Sequence, residues 1–193
     1  MATPVPPRLP PVDAADLTPE QLELLAATGG ADSLNIFRTL VRHPGLYRRW
    51  APFGGKLLAG GKLSERDREL VILRVAWRCR AGYEWGQHVA IAQRAGLTDP
   101  EILRVADDSS PGSGGNGTGW SAPDAVLLTA ADQLLADHAI GDAVWAELRD
   151  RNTDAQLVEL TLLVGHYAML AGALNSFATP LDGELPGLGT VAP

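Results

Sequence analysis

The sequence predicts an all-α protein, and two observations support this fold class. First, helix-start signals recur along the chain: Thr18, Thr98 and Thr153 each stand three residues before a Gln or Glu, the spacing of a capping box. Second, no segment alternates polar and apolar residues between turn dipeptides, as a half-exposed strand does. Because 46% of the 193 residues are apolar, the chain can bury the core of such a domain.

Nine helices follow in order from the start signals and the apolar periodicity. The first begins after Thr18 with a proline at its first position, Ser64 begins the fourth, and Gly141-Asp142 begins the eighth. The predicted helices span residues 19–28, 33–42, 44–59, 64–80, 82–96, 99–107, 122–138, 142–150 and 154–178. Because residues 68–73 (RELVIL) resemble residues 158–163 (VELTLL), two similar helical halves are a further expectation.

The organisation predicted around these helices is one domain with polar or proline-rich extensions. Residues 1–15 contain five prolines and are expected to form a disordered or draped arm. Residues 16–182 form the helical domain, interrupted by a Gly/Ser-rich segment at 107–119 that we expect to be a flexible surface loop. Residues 183–193 are expected to form a C-terminal tail.

Charge and cysteine content restrict the partners and the compartment. The net charge of −7 argues against binding to nucleic acid or to an anionic membrane. The single cysteine, Cys79, cannot form an internal disulfide, which fits a reducing compartment. The N-terminal segment has no apolar core of the kind that a secretory signal requires. We therefore expect a cytoplasmic protein.

One segment is long enough to cross a bilayer, namely residues 157–178. It contains Glu159, His166 and Asn175, which are costly to place in lipid. We therefore interpret it as a central helix of a helical bundle, with no membrane partner.

Glu69 lies on the apolar side of the predicted helix 64–80. On a helical wheel, Asp67, Arg74 and Arg78 lie about 140–180° away from it and mark an expected solvent stripe, whereas Glu69 groups with Leu73. A carboxylate on an apolar face is costly unless it has a partner. The next helix offers one, because Glu84 and His88 share a face with its apolar residues.

Glu84 and His88 are four residues apart and thus neighbours on a helix. A carboxylate beside an imidazole raises the pKa of the histidine and orients its ring, which makes an acid–base pair near neutral pH. A structural hydrogen bond that secures the core is the alternative. The same residues could bind a divalent ion, but the paired Glu-x-x-His spacing of di-iron bundles is missing. We expect no metal and no other cofactor.

Further residues could contact a substrate. Tyr83 and Trp85 flank Glu84, and His166 lies on the last helix, seven residues after Glu159. Arg74 is a candidate to hold a substrate carboxylate, as are Arg38 and Arg42. For Tyr83, Trp85 and His166 the alternative is packing in the core.

The stretch RVAWRCRAGYEWGQHVAIAQRAGL at 74–97, preceded by Glu69, resembles the carboxymuconolactone decarboxylase superfamily, which includes the alkylhydroperoxidase D-like proteins. Flanking segments extend the resemblance to about residues 35–182. In the peroxidase branch the pattern is Glu-x11-Cys-x-x-Cys-x-x-x-His, but Ala81 and Glu84 stand at the two cysteine positions here. The sequence is similar to a branch with Tyr-Glu-Trp-x-x-His instead.

The resemblance implies an alkylhydroperoxidase D-like helical bundle, a homo-oligomer (dimer, trimer or hexamer) and cofactor-free acid–base chemistry. We expect a lyase, decarboxylase or isomerase that acts on a small organic acid, lactone or carbonyl compound, with Glu69, Glu84 and His88 as catalytic residues. The expected pocket lies between helices 64–80 and 82–96 and is lined also by the last helix. The alternatives are a thiol peroxidase, for which one cysteine is insufficient, and a non-catalytic binding protein. In the catalytic case His88→Ala abolishes turnover with little change in melting temperature, whereas in the structural case it destabilises by about 1–3 kcal/mol.

Overall fold

Helices make up all the regular secondary structure that the computed structural model shows in residues 6–107 and 119–192, the part of the chain it describes. The α-helices are α1 (Pro19–Leu25), α2 (Asn35–Leu40), α3 (Pro44–Leu58), α4 (Glu65–Arg78), α5 (Gly82–Arg94), α6 (Asp99–Val105), α7 (Ala122–Asp137), α8 (Asp142–Arg149) and α9 (Asp154–Phe177). The predicted all-α class is therefore confirmed.

Capping residues fix the helix starts where the sequence places them. Thr18, Thr98 and Thr153 each form a complete capping box, in which the side chain accepts from a backbone N–H and the third residue bonds back. Ser64 accepts a hydrogen bond from the backbone N–H of Asp67 at 3.0 Å. The C-terminal ends of the helices differ more from the predicted bounds. Residues 26–28, predicted as the end of the first helix, form a 3₁₀ turn.

The central helix is α4, which packs against α5, α6, α7 and α9. One apolar cluster lies between α4, α7, α8 and α9, and a second lies between α4, α5 and α6. All residues from Arg68 to Ala76 are buried as a result. The prediction that Arg74 faces solvent is therefore wrong, because this residue is 1% exposed.

The long apolar segment predicted as a central helix is α9, and it packs on α4 and α7. Among the described helices, α9 is the one long and apolar enough to cross a membrane by length and composition. Its inner face is buried in the first cluster, whereas Val158, Leu162 and Met169 on its outer face are exposed.

Both ends of the described chain lie on the bundle. The backbone N–H groups of Arg8 and Leu9 donate to the carbonyl oxygen of Phe177 at the end of α9. The tail packs on α5 at Gly86, where a Cβ atom would lie 3.0 Å from the carbonyl oxygen of Pro186. The loop predicted at 107–119 lies, apart from its two end residues, outside the described residues, and so does the start of the predicted arm.

Candidate active site

A largely apolar cavity of about 220 Å³ lies between α3, α5 and α9, and the segment that leads into α2 closes one side. Helix α4 does not line this cavity. The prediction of a pocket between α4 and α5 is therefore wrong, because the cavity lies on the other side of α5. The polar and aromatic side chains that line the cavity are Thr28, Phe37, Trp50, Tyr83, Glu84, Gln87, His88, His166 and Tyr167. Four of the predicted site residues, Tyr83, Glu84, His88 and His166, thus line one cavity from two helices.

Glu69 and His88 form a buried pair between α4 and α5. Nδ1 of His88 lies 2.7 Å from Oε2 of Glu69, whose side chain is fully buried. With Nδ1 occupied in this way, Nε2 is the ring nitrogen left for a ligand in the cavity. Glu69 thus lies behind His88 and acts on the cavity through that ring.

Arg68 supports the same carboxylate, because its Nε donates to Oε1 of Glu69 at 2.9 Å. Burial alone would raise the pKa of Glu69, but the hydrogen bond with His88, the charge of that ring and Arg68 hold the pKa below its ordinary value. An ionised Glu69 accepts a hydrogen bond from Nδ1–H, so that in the neutral ring the lone pair lies on Nε2 of His88. This arrangement makes His88 a suitable general base.

Glu84 lines the cavity without a hydrogen-bond partner for either carboxyl oxygen among the residues that the structure describes. Burial raises the pKa of Glu84 well above its ordinary value of 4.5, which favours the neutral carboxylic acid. The predicted hydrogen bond between Glu84 and His88 is therefore wrong: His88 binds Glu69, and the proton on Glu84 is available to a ligand.

His166 lies opposite α5 in an aromatic setting. Its ring stacks on Trp50 with centroids 5.9 Å apart and meets the edge of Phe53 at 5.3 Å. Gly54 allows this approach, because a Cβ atom there would lie 3.2 Å from the His166 ring. Burial lowers the pKa of His166 to about 4, and Nδ1 has no partner within the described part of the chain. Glu159, seven residues before His166, accepts a hydrogen bond from the backbone N–H of Leu63 at 3.2 Å.

Tyr83 borders the cavity, but its hydroxyl is engaged in the wall. It donates to Oδ2 of Asp182 and accepts from the backbone N–H of Ile36 at 3.1 Å. Gln87 also donates to Oδ2 of Asp182, at 2.8 Å. Burial and Asp182 raise the pKa of Tyr83 far above its ordinary value. The Tyr83 hydroxyl therefore has a structural role and does not make the predicted contact with a substrate oxygen.

Trp85 and Arg74, predicted to bind substrate, both lie outside the cavity. Trp85 is packed in the second apolar cluster on the opposite face of α5, and its indole N–H donates to the carbonyl oxygen of Thr190 at 2.8 Å. Arg74 forms two hydrogen bonds with the carboxylate of Asp132, at 2.8 and 2.7 Å. Neither side chain can contact a molecule in the cavity.

The two other arginines considered for a substrate carboxylate are also engaged elsewhere. Arg38 donates to the carbonyl oxygen of Ser33 and to Oδ1 of Asn35, and Arg42 donates to the carbonyl oxygen of Pro10. A carboxylate clamp is therefore not built from these residues.

Sequence reasoning missed Arg68, Trp50 and Asp182. Arg68 is adjacent to Glu69 in the sequence and donates to its carboxylate. Trp50 lines the cavity with an indole N–H that lacks a partner in the described residues. A buried acid needs more than one hydrogen-bond donor, and this requirement could have pointed to Arg68. No signal in the sequence pointed to Asp182.

Cys79 ends α4 and does not line the cavity. Burial raises the pKa of its thiol, so the reactive thiolate is disfavoured. The described residues contain no group of three or more His, Cys, Asp and Glu side chains that could hold a metal ion. The expectation of a cofactor-free site stays a prediction.

Comparisons with known proteins agree with the helical fold. Residues 44–122 match the carboxymuconolactone decarboxylase family. The fold is similar to the alkylhydroperoxidase AhpD core of an uncharacterized peroxidase-related protein from Ralstonia eutropha, with a TM-score of 0.73 and 20% identity over 94% of this chain and 95% of that one. An uncharacterized peroxidase-related protein from Silicibacter gives a TM-score of 0.72 and 16% identity over 95% and 96%. A protein of unknown function from Agrobacterium tumefaciens gives 0.60 and 16% over 74% and 94%. No curated protein matches the chain significantly.

Proposed function

Because this chain belongs to the carboxymuconolactone decarboxylase superfamily, we propose that it is a cytoplasmic, cofactor-independent lyase or isomerase. It moves a proton on a small organic acid, lactone or other carbonyl compound. The observation that carries this proposal is the 2.7 Å contact between His88 and the buried Glu69, with His88 on the cavity wall.

The roles of the residues follow from their protonation states. Nε2 of His88 takes a proton from the carbon next to the substrate carbonyl, and Glu69 stabilises the imidazolium that forms. The carbonyl oxygen gains negative charge in the same step. Glu84, a neutral acid that lines the same cavity, donates a hydrogen bond or a proton to this oxygen.

The test is exchange of the α-protons of a small unsaturated lactone into deuterated water, followed by NMR. His88→Gln keeps a hydrogen-bond donor for Glu69 but cannot take a proton, so we expect the exchange rate to fall by about 10²–10⁴-fold. His138→Asn is the matched control, because His138 is an exposed residue at the end of α7 in the left-handed region, which Asn tolerates. An exchange rate in His88→Gln equal to that of the wild type would contradict the proposal.

The His88→Ala experiment suggested by the sequence does not separate catalysis from structure. Removal of the ring leaves the buried carboxylate of Glu69 with Arg68 alone, so we expect destabilisation of about 1–3 kcal/mol in either case. His88→Gln is the better variant for this reason.

Thiol peroxidase chemistry is the second candidate, because two similar structures are described as peroxidase-related. Cys79 is the single cysteine and lies off the cavity, and burial raises the pKa of its thiol. These observations favour the acid–base proposal. Consumption of an organic hydroperoxide with a dithiol reductant, lost in Cys79→Ser, would favour the peroxidase instead.

The proposal includes self-association through α9. The outer face of this helix carries Val158, Leu162 and Met169, which are 60%, 47% and 55% exposed, and Gly165 lies between them with open space around its Cα. No charged residue interrupts this row. A second copy of the same helix fits it, because the glycine of one copy can receive a large side chain of the other.

A further inference from the structure

We propose that the cavity selects an uncharged carbonyl compound, such as a ketone, amide, ester or lactone, and rejects the corresponding carboxylate. The choice of a carbonyl group rests on the proposed function. The discrimination between a neutral and an anionic ligand rests on the charges and unpartnered groups of the cavity itself.

The first argument is the absence of a cation. Within the described parts of the chain, no lysine or arginine lines the cavity. Arg68, the arginine nearest to the catalytic pair, is directed to Glu69 behind His88. A carboxylate that entered would lose its water without gaining an ionic partner, which is costly in an apolar cavity.

The second argument is the lack of a net positive charge around the cavity. The charge of Glu69 behind His88 is balanced by Arg68, so this pair does not attract an anion. An anion beside Glu84 would meet an acidic group, whose pKa burial raises. His166 provides no compensation, because burial lowers its pKa to about 4.

The third argument is the set of buried polar atoms that lack partners. Four of them belong to residues that line the cavity: both carboxyl oxygens of Glu84, Nδ1 of His166 and the indole nitrogen of Trp50. The hydroxyls of Tyr47 and Thr179, which also lack partners among the described residues, lie elsewhere. A neutral carboxyl group and an indole each offer one hydrogen to an acceptor. A carbonyl oxygen satisfies such donors without bringing charge, and the remaining apolar wall accommodates a hydrocarbon body.

The experiment compares benzamide with benzoate, which have nearly the same shape and differ in charge near neutral pH. The readout is the indole N–H resonance of Trp50, identified among the five tryptophans by its loss in Trp50→Phe. We expect benzamide to shift this resonance, with a Kd at least about tenfold lower than that of benzoate. Benzoate affinity equal to or above that of benzamide would overturn the proposal, as would no shift with benzamide at about 10 mM.

A second variant tests whether charge is the cause. Ile91 is a half-buried residue of the cavity wall, so Ile91→Arg supplies the missing cation, and Ile91→Met is the control for size. We expect benzoate to bind Ile91→Arg about tenfold more tightly than wild type, with little change for benzamide. An equal change for the two probes would contradict the charge argument.

These measurements do not require turnover and can be made in His88→Gln. Selective binding of benzamide without any proton exchange by the wild type would refute the proposed function alone. Proton exchange combined with a preference for benzoate would refute this inference alone.

Discussion

Glu84 and His166 are polar side chains that the fold buries without a hydrogen-bond partner in the described residues. Such groups cost about 1–3 kcal/mol each and are uncommon in folded proteins. Both face the same cavity, whereas the neighbouring polar groups of Tyr83 and Gln87 are satisfied by Asp182. The cavity surface that a ligand would contact therefore holds most of the unsatisfied buried atoms of the described residues; the hydroxyls of Tyr47 and Thr179 lie elsewhere.

His166 should make stability depend on pH. Its folded-state pKa of about 4 lies below the ordinary value of 6.5, so its stabilising contribution is complete above pH 6.5 and is lost as the pH falls towards 4. The loss is on the order of 3 kcal/mol. We expect His166→Phe, which preserves the stacking on Trp50, to flatten the free energy of unfolding over this range in urea titrations.

The exposed His138 provides the control for this measurement, because His138→Asn should leave the pH dependence of wild type unchanged. A wild-type slope that persists in His166→Phe would show that another group is responsible.

Helix α4 joins the two apolar clusters, and Arg74 is its main polar link to α7. The guanidinium is 1% exposed and also donates to the carbonyl oxygens of Val105 and Asp107, at 2.8 and 2.6 Å. It thereby connects α4, α7 and the end of α6. Its removal would leave Asp132 with Arg78 as an ion-pair partner, at 3.2 Å, and would take this donor from two carbonyl groups.

Arg74→Ala should lower the free energy of unfolding by about 1–3 kcal/mol, because two carbonyl oxygens lose this donor while Asp132 keeps Arg78. Arg48→Ala removes an arginine from an exposed ion pair with Glu20, so its effect should be about 0–1 kcal/mol. Urea denaturation measures both. A loss in Arg74→Ala as small as that in Arg48→Ala would contradict the assignment of Arg74 to the core.

For the molecule as a whole, the outer face of α9 predicts the oligomeric state. Leu162→Asp combined with Met169→Asp places two charges in the row and should convert the proposed oligomer into a monomer, measured by size-exclusion chromatography with light scattering. Leu103→Asp changes a leucine of similar exposure on α6 and should have no effect on the mass. An unchanged mass of the α9 variant would exclude this face as the interface.

The helical fold could be predicted because its signals are local. The three capping boxes, the apolar periodicity and the lack of strand patterns all lie within short windows of sequence. The pairing of Glu69 with His88 was also accessible, because a buried acid requires a partner and the next helix offers one. The partner of Arg74 was not accessible, since Asp132 lies 58 residues away on a helix whose contact with α4 is a tertiary property.

The position of the cavity could not be derived for the same reason. Helix α5 is buried on two faces, and the sequence does not reveal that α3 covers the face of Glu84 and His88 while α4 and α6 cover that of Trp85. The similarity of residues 68–73 to 158–163 falls on α4 and α9, which pack against each other. The proposal of two similar halves stays a prediction.

The contacts of Asp182 have a consequence for the order of folding. Its carboxylate accepts from the backbone N–H of Asn35 at 2.8 Å, across 147 residues, and from Tyr83 and Gln87. Contacts of such sequence separation form late, because a long loop must close before they contribute. A nascent chain that has not reached residue 182 can already form α5 and α9. One wall of the cavity then still lacks the hydrogen bonds that Asp182 accepts. We therefore expect the binding cavity to be completed only after residue 182 has been synthesised, when the core helices can already have assembled.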